Sequence, residues 1–212
     1  IIPDIVLFLN GLPIVVVEAK SPKVSEPLSE AIDQLMRYSE QRGDTGEGNP
    51  ALFQYNQFLI VTCRNEAKAG TITTHREKYF YRWTDPYPMT LNDLTHGQSA
   101  PNDQQRLVAG MLSLQNLLDI IRIFTIFSIN DKGKKIKIVC RYQQFRAVKK
   151  MVKRLQEGKT KEDRGGILWH TQGSGKSLTM MFLVRQMQLI TALQSWKVVF
   201  VTDRTQLEEQ LG

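Results

Sequence analysis

Ile167-Leu-Trp-His-Thr-Gln-Gly-Ser-Gly-Lys-Ser177 sets an apolar run against a glycine-rich loop, and a helix-forming segment, Ser177 to Leu189, follows. A polyphosphate site needs that order of strand, loop and helix. Gly173 and Gly175 let the backbone turn its N–H groups toward phosphate oxygens. The start of the following helix adds partial positive charge. Lys176 is placed to reach the β- and γ-phosphates and Ser177 to ligate Mg²⁺. A nucleotide with Mg²⁺ is therefore the expected ligand, held by Thr171, Gln172, Gly173, Ser174, Gly175, Lys176 and Ser177. The common pattern G-x-x-x-x-G-K-S/T opens on glycine, and His170 stands there instead. It reads as a loop or packing residue rather than a catalyst. No Asp-Glu-x-x element follows, so these residues are expected to bind nucleotide without hydrolysing it competently.

Working outward, Val198 to Thr202 is a second apolar run, and Tyr142 to Leu155 is amphipathic, with Tyr142, Phe145, Val148, Val152 and Leu155 on one face. Strand, loop, helix and strand in succession predict a parallel α/β sheet. Charge supports a division of the chain. Residues 1–100 carry 9 basic and 12 acidic side chains, a net of −3, and residues 101–212 carry 19 and 9, a net of +10. Residues 130–165 hold 13 basic against 4 acidic, a block that either attracts a phosphate backbone or is a solvated lysine-rich face. Composition and charge change together near residues 125–130. The expected domains are thus 1–125 and 126–212.

Toward the start, Ile5 to Leu9 and Pro13 to Val17 are β-branched, apolar runs around Asn10-Gly11, a strong hairpin signal. Ser25 to Gln41 reads as a helix with Pro27 in its first turn and Leu28, Ile32, Leu35 and Met36 on its apolar face. Residues 43–50 read as a loop, Phe58 to Thr62 as a buried strand, and residues 84–105 as a surface connection. Leu107 to Phe127 reads as one long helix or two short ones. Asp131-Lys-Gly133 marks a turn and Ile136 to Cys140 a strand.

The hairpin brings Asp4 near Glu18 and Lys20, and register decides what meets. A two-residue loop pairs Asp4 with Val17. A three-residue loop at 10–12 places Asp4 opposite Glu18, with Lys20 on the same face, and this register is the expected one. Two adjacent carboxylates repel unless a cation lies between them, and Mg²⁺ suits oxygen ligands. A lysine alongside stabilises charge on a phosphodiester under attack. Gln34 and Tyr38, four apart, share one helix face just downstream.

These residues resemble known signatures. Pro3-Asp4, the gap of 14 residues to Glu18, and Glu18-x-Lys20 resemble the PD-(D/E)xK nuclease motif. Gln34-x-x-x-Tyr38 resembles the Q-x-x-x-Y extension of a subset of those nucleases. Trp169 to Ser177 resembles motif I of superfamily 2 helicases, and Val198-Val-Phe-Val-Thr-Asp203-Arg204 with Leu207 resembles motif Ia. In this order they resemble the restriction (motor) subunit of type I restriction-modification enzymes. The resemblance implies an α/β chain: part of a PD-(D/E)xK nuclease domain, a mixed sheet with flanking helices, then the start of a RecA-like motor. It implies Asp4 and Glu18 as metal ligands, Lys20 as the catalytic lysine, and Gln34 and Tyr38 as supports of the nuclease site or its DNA contacts. Tyr142-Gln-Gln-Phe-Arg-Ala-Val148 is similar to the adenine-reading Q motif, with Gln144 the best match and Gln143 beside it. Asp203 and Arg204 would lie close to the motor's DNA track. The resemblance implies that the nucleotide is ATP. The implied function is ATP-driven translocation of double-stranded DNA and cleavage of unmethylated foreign DNA, with methylation and specificity subunits as partners.

Two other functions remain open on the sequence. One is a helicase-like DNA remodeller whose first 125 residues only dock partners. The other is a nucleotide-gated binding module. With 42% hydrophobic and 23% charged residues the chain reads as globular, and the longest charge-free run, residues 48–63, is too polar for a membrane span. Cys63 and Cys140 lack metal-ligand spacing, and a reducing, cytoplasmic location is expected. The chain opens without Met inside an apolar run and is read as a piece of a longer protein; the isolated piece is expected to be inactive, and the full-length protein to be the enzyme.

Overall fold

The computed structural model describes residues 1–43, 46–74, 76–95 and 100–201. The chain divides into two units, Ile1–Val139 and Cys140–Gly212.

In the first unit, β1 (Ile5–Leu9) and β2 (Leu12–Ala19) form the hairpin. Asn10 and Gly11 alone make the turn, at φ 49° and 80°, the left-handed pair that a two-residue hairpin turn requires. This corrects the expected three-residue loop. The register nevertheless changes within the hairpin. Leu9 pairs with Leu12 and Phe8 with Pro13, and after a bulge Leu7 pairs with Val15, Val6 with Val16 and Ile5 with Val17. Ile14 is the extra residue. A bulge supplies the one-residue shift that the longer loop was expected to supply. Asp4 therefore comes opposite Glu18, as expected, by a different device.

β2 leads through α1 (Pro27–Tyr38) to β3 (Phe58–Cys63), which lies parallel to β2; β4 (Glu66–Gly70) adds antiparallel to β3. The result is a four-stranded mixed sheet in the order β1-β2-β3-β4. Pro27 takes the first turn of α1 because the missing N–H is not needed there. Leu28, Ile32, Leu35 and Met36 are buried, packed with Val16, Leu59 and Val61 on one face of the sheet. Val15, Val17, Phe58 and Ile60 are buried on the other face. The mixed sheet with flanking helices agrees with the expected α/β architecture.

Residues 91–129 depart from expectation. They contain α2 (Leu91–Thr95), α3 (Asp103–Leu107), a π-turn over Val108–Leu112, and α4 (Leu114–Arg122). Of the two readings of Leu107 to Phe127, the single long helix fails at Ser113, whose ψ of 134° breaks the path, and two short helical pieces form instead, the second ending at Arg122 rather than reaching Phe127. Thr125–Ile129 is instead β5, antiparallel to β6 (Lys135–Val139), with Gly133 at φ 73° in the turn. β-Branched and aromatic residues at 125–129 favour a strand once a partner strand is available.

The second unit contains α5 (Tyr142–Glu157), α6 (Lys161–Arg164) and α7 (Lys176–Gln188), with α5 packed on α7. Phe145, Val148, Val152 and Phe182 are buried there. The expected strands at Ile167–Trp169 and Val198–Val201 do not form; Trp169 is 82% exposed and Val201 91%. A parallel strand exists only through hydrogen bonds to neighbouring strands, and among the described residues neither run has one. Thr202 lies outside the described residues. No helix among the described residues is long and apolar enough to cross a membrane.

Candidate functional site

The first site begins from β2. Its even-numbered residues face α1: Val16 is buried under that helix, so Glu18 and Lys20 point the same way. Glu18 is 2% exposed. Its Oε1 accepts from Lys20 Nζ at 3.2 Å, and its Oε2 is buried with no hydrogen-bond partner. Burial pushes the Glu18 carboxyl above its ordinary value, the Lys20 hydrogen bond opposes this, and the Asp4 charge raises it further. Asp4 is anchored by the bulge-set register, with Oδ2 accepting from the Ala19 backbone N–H at 2.7 Å. The backbone of Lys20 is held on β3 by a 2.9 Å hydrogen bond to the Thr62 carbonyl.

One stripe of α1 completes the arrangement. Glu30, Gln34 and Tyr38 follow at four-residue intervals and so line up along the helix. Lys20 Nζ donates to Gln34 Oε1, and Gln34 Nε2 donates to the Tyr38 hydroxyl. That hydroxyl donates to the Ile2 carbonyl at 3.4 Å, just before Asp4. All five expected nuclease-site residues, Asp4, Glu18, Lys20, Gln34 and Tyr38, thus lie in one neighbourhood. Glu30, which the sequence reading missed, stands 3.8 Å from Lys20 Nζ. Its position four residues before Gln34 was the available signal. Among the described residues no group of three or more His, Cys, Asp or Glu side chains could hold a metal ion. Beside Asp4, the buried Glu18 Oε2 is an acceptor left without a partner, an atom that a hydrogen-bond donor or a cation could satisfy.

The second site is local. Gly173 and Gly175 adopt φ 75° and 80°, so the loop turns where only glycine turns freely. Gly175 caps α7 without a side-chain hydrogen bond, which leaves the first N–H groups of Lys176, Ser177 and Leu178 without helical partners. That is the donor set a phosphate fits. Lys176 Nζ donates to the carbonyls of His170 and Thr171 at 2.8 and 3.0 Å and so spans the loop. Thr171, Gln172 and Lys176 are exposed, while Ser174 is buried with its hydroxyl unpartnered.

Gln144 lies beneath this loop. Its Oε1 accepts from the Arg141 N–H at 2.8 Å, and its Nε2 donates to the Gly175 carbonyl at 3.1 Å. A Cβ on Gly175 would lie 2.5 Å from that Nε2, a second reason for glycine there. Both ends of the Gln144 amide are occupied, whereas Gln143 has a buried, unpartnered Oε1. Asp203, Arg204 and Leu207 lie outside the described residues.

The structure therefore defines an α/β chain with a carboxylate–lysine cluster on a mixed sheet and a glycine-rich loop at the start of α7. Residues 1–78 match the family model described as type I restriction enzyme R protein N terminus, and residues 143–212 match SWI2/SNF2 ATPase. Along 99% of its length the chain is 34% identical to the type I restriction enzyme HindI endonuclease subunit of Haemophilus influenzae, covering 19% of that protein. It is 34% identical along 99% of its length to a Methanocaldococcus jannaschii protein, covering 20% of it. It is also 27% identical, along 98%, to the type I restriction enzyme SauCOLORF180P endonuclease subunit of Staphylococcus aureus, again covering 20%. The chain spans about a fifth of the length of these relatives. The resemblance to type I restriction R subunits read from the motifs is thereby borne out along nearly the whole chain.

Proposed function

We propose that this chain is part of an ATP-dependent DNA translocase and endonuclease, a type I site-specific deoxyribonuclease that cleaves unmethylated foreign DNA. In this reading residues 1–125 are the later part of a PD-(D/E)xK nuclease domain with its connecting helix. Residues 126–212 begin a RecA-like motor domain. It acts in the cytoplasm, in a complex with methylation and specificity subunits. The observation that carries the nuclease reading is the buried, unpartnered Glu18 Oε2 beside Asp4 and Lys20.

Asp4 and Glu18 would hold Mg²⁺, which supplies Lewis-acid polarisation and an activated water when bound. Lys20, kept in place by Glu18 and Gln34, balances negative charge gathering on the scissile phosphate. Tyr38 and Gln34 act through Lys20 and through the segment that carries Asp4. In the second unit the loop Thr171–Ser177 binds the phosphates of ATP, Lys176 offsets their charge, and Ser177 joins the Mg²⁺ shell. Gln143 carries the amide acceptor suited to the adenine amino group, and Gln144 holds the loop from below.

The alternative, a remodeller with a non-catalytic N-terminal docking domain, draws on the absence of a third clustered metal-ligating side chain among the described residues. One experiment separates the two readings. In the full-length parent, reconstituted with its methylation and specificity partners, Glu18→Ala should lose cleavage of unmethylated circular DNA and keep ATP turnover. Unchanged cleavage would move the nuclease elsewhere and leave the first domain as a docking module.

A further inference from the structure

The second unit carries a charged face that neither candidate site uses. On α5 the exposed residues between Tyr142 and Arg154 are Arg146, Lys150, Lys153 and Arg154, and every one is basic. Lys149 lies beside them, its Nζ 5.6 Å from the Phe145 ring centre. The opposite face, Phe145, Val148 and Val152, is buried, so the basic side chains are confined to one side of the helix. From Arg146 to Arg154 this face is about 12 Å long at the rise of an α-helix.

Its arrangement runs against helix stability. Arg146 with Lys150, Lys149 with Lys153, and Lys150 with Arg154 are like-charged pairs four residues apart, which repel along a helix. The first acidic residue of α5 is Glu157, at the far end, 3.8 Å from Lys153. On α1 the same spacing sets opposite charges, Asp33 and Arg37, four residues apart, and Asp33 pairs with Arg42 at 2.9 Å. Glu157 lies against Lys153, and the Arg154 charge acts on Asp163 of α6, yet between Tyr142 and Arg154 the exposed side of the helix is basic alone, a charge complementary to a polyanion.

We infer that the exposed face of α5 is a contact surface for the phosphodiester backbone of duplex DNA. The inference rests on the DNA-translocase reading above and extends it to residues outside both proposed sites. A uniform row of lysine and arginine side chains suits the regular charge of a duplex backbone, one per 1.7 Å of axis, and carries no sequence preference.

The test uses the full-length parent with Arg146→Gln, Lys150→Gln and Lys153→Gln combined. A fluorescent duplex of arbitrary sequence is titrated by anisotropy over a range of salt concentrations. Melting temperature and binding of a fluorescent ATP analogue are followed alongside. The expected result is a plot of log affinity against log salt that is shallower by about 2 to 3, at about 0.9 per lost phosphate contact, with melting and nucleotide binding unchanged. Swapping the same positions between lysine and arginine should keep the wild-type slope. A neutralised variant with the wild-type slope overturns the inference while leaving the translocase reading in place. The same slope combined with failure to assemble with the methylation and specificity subunits also overturns it, and assigns the face to an acidic protein surface. A wild-type protein that binds no duplex at any salt overturns both readings.

Discussion

The two candidate sites are assembled in opposite ways. The proposed phosphate loop is contiguous: Thr171 to Ser177 are seven successive residues, and two positive-φ glycines shape it. The carboxylate–lysine cluster gathers Asp4 from just before β1, Glu18 and Lys20 from the end of β2 and the residue after it, and Gln34 and Tyr38 from a helix, through pairings 14 to 36 residues apart in sequence. The contiguous site keeps its local shape although the expected flanking strands do not form. The dispersed site exists only because the sheet does. Local geometry survives loss of context, and convergent geometry depends on every element that feeds it.

Mutations can probe that contrast. The largest expected effect is Lys176→Ala in the full-length parent: ATP turnover should fall at least about 100-fold, the scale of removing one preorganised charge-stabilising group, and DNA cleavage should fall with it. Retained ATP turnover would detach the loop from the motor. Next, Gln34→Ala removes a side chain that holds Lys20 from α1. Cleavage should drop about 10-fold or more with ATP turnover unaltered, as for other positioning groups around a metal site. An equal loss in both activities would mean that the two sites are not separable.

Smaller effects test the turn and the buried carboxylate. Gly11→Val places a β-branched residue at φ 80° and should cost about 1–2 kcal/mol in urea denaturation. Cleavage should suffer in proportion if the hairpin register is what brings Asp4 to Glu18. The last test is a pH profile of melting without divalent ions. Glu18 has a folded-state pKa above its ordinary 4.5, because burial disfavours the charged form. Its contribution to stability is therefore fully present below 4.5 and is lost as pH rises through the folded value. Glu18→Gln should remove that loss and melt higher than wild type near neutral pH, with the difference closing on the acid side. Added Mg²⁺ should raise the melting temperature of wild type more than that of the variant.

Much of this was legible in the residue order. Asn10-Gly11 named the hairpin, Pro27 with Leu28, Ile32, Leu35 and Met36 named the first helix, and Gly-Ser-Gly-Lys-Ser named the glycine turn that opens α7, because each signal is carried by neighbours. The four-residue spacing of Gln34 and Tyr38 gave a shared face. Glu30 was missed although it extends the same spacing, since a single exposed glutamate is an ordinary helix residue until a lysine from β2 comes within 3.8 Å. The pairing of Asp4 with Glu18 was reached through register arithmetic, but with the wrong device. The available signal for the bulge at Ile14 was Pro13 beside it, which cannot donate a ladder hydrogen bond inside a strand paired on both sides.

The amino-acid order by itself determined the elements whose cause is local: the left-handed turn, the helix faces, the glycine-rich loop and the basic side of α5. Tertiary structure decided the rest. It fixed the register on which the carboxylates meet, the hydrogen-bonded line from Lys20 through Gln34 to Tyr38, and which of Gln143 and Gln144 has its amide already engaged. It also made Thr125–Ile129 a strand and left Ile167–Trp169 without one. A turn or a helix closes its hydrogen bonds within a few residues, whereas a convergent site takes its partners from distant parts of the chain, and a strand needs a second strand even when, as for β5 and β6, that strand lies just across a turn.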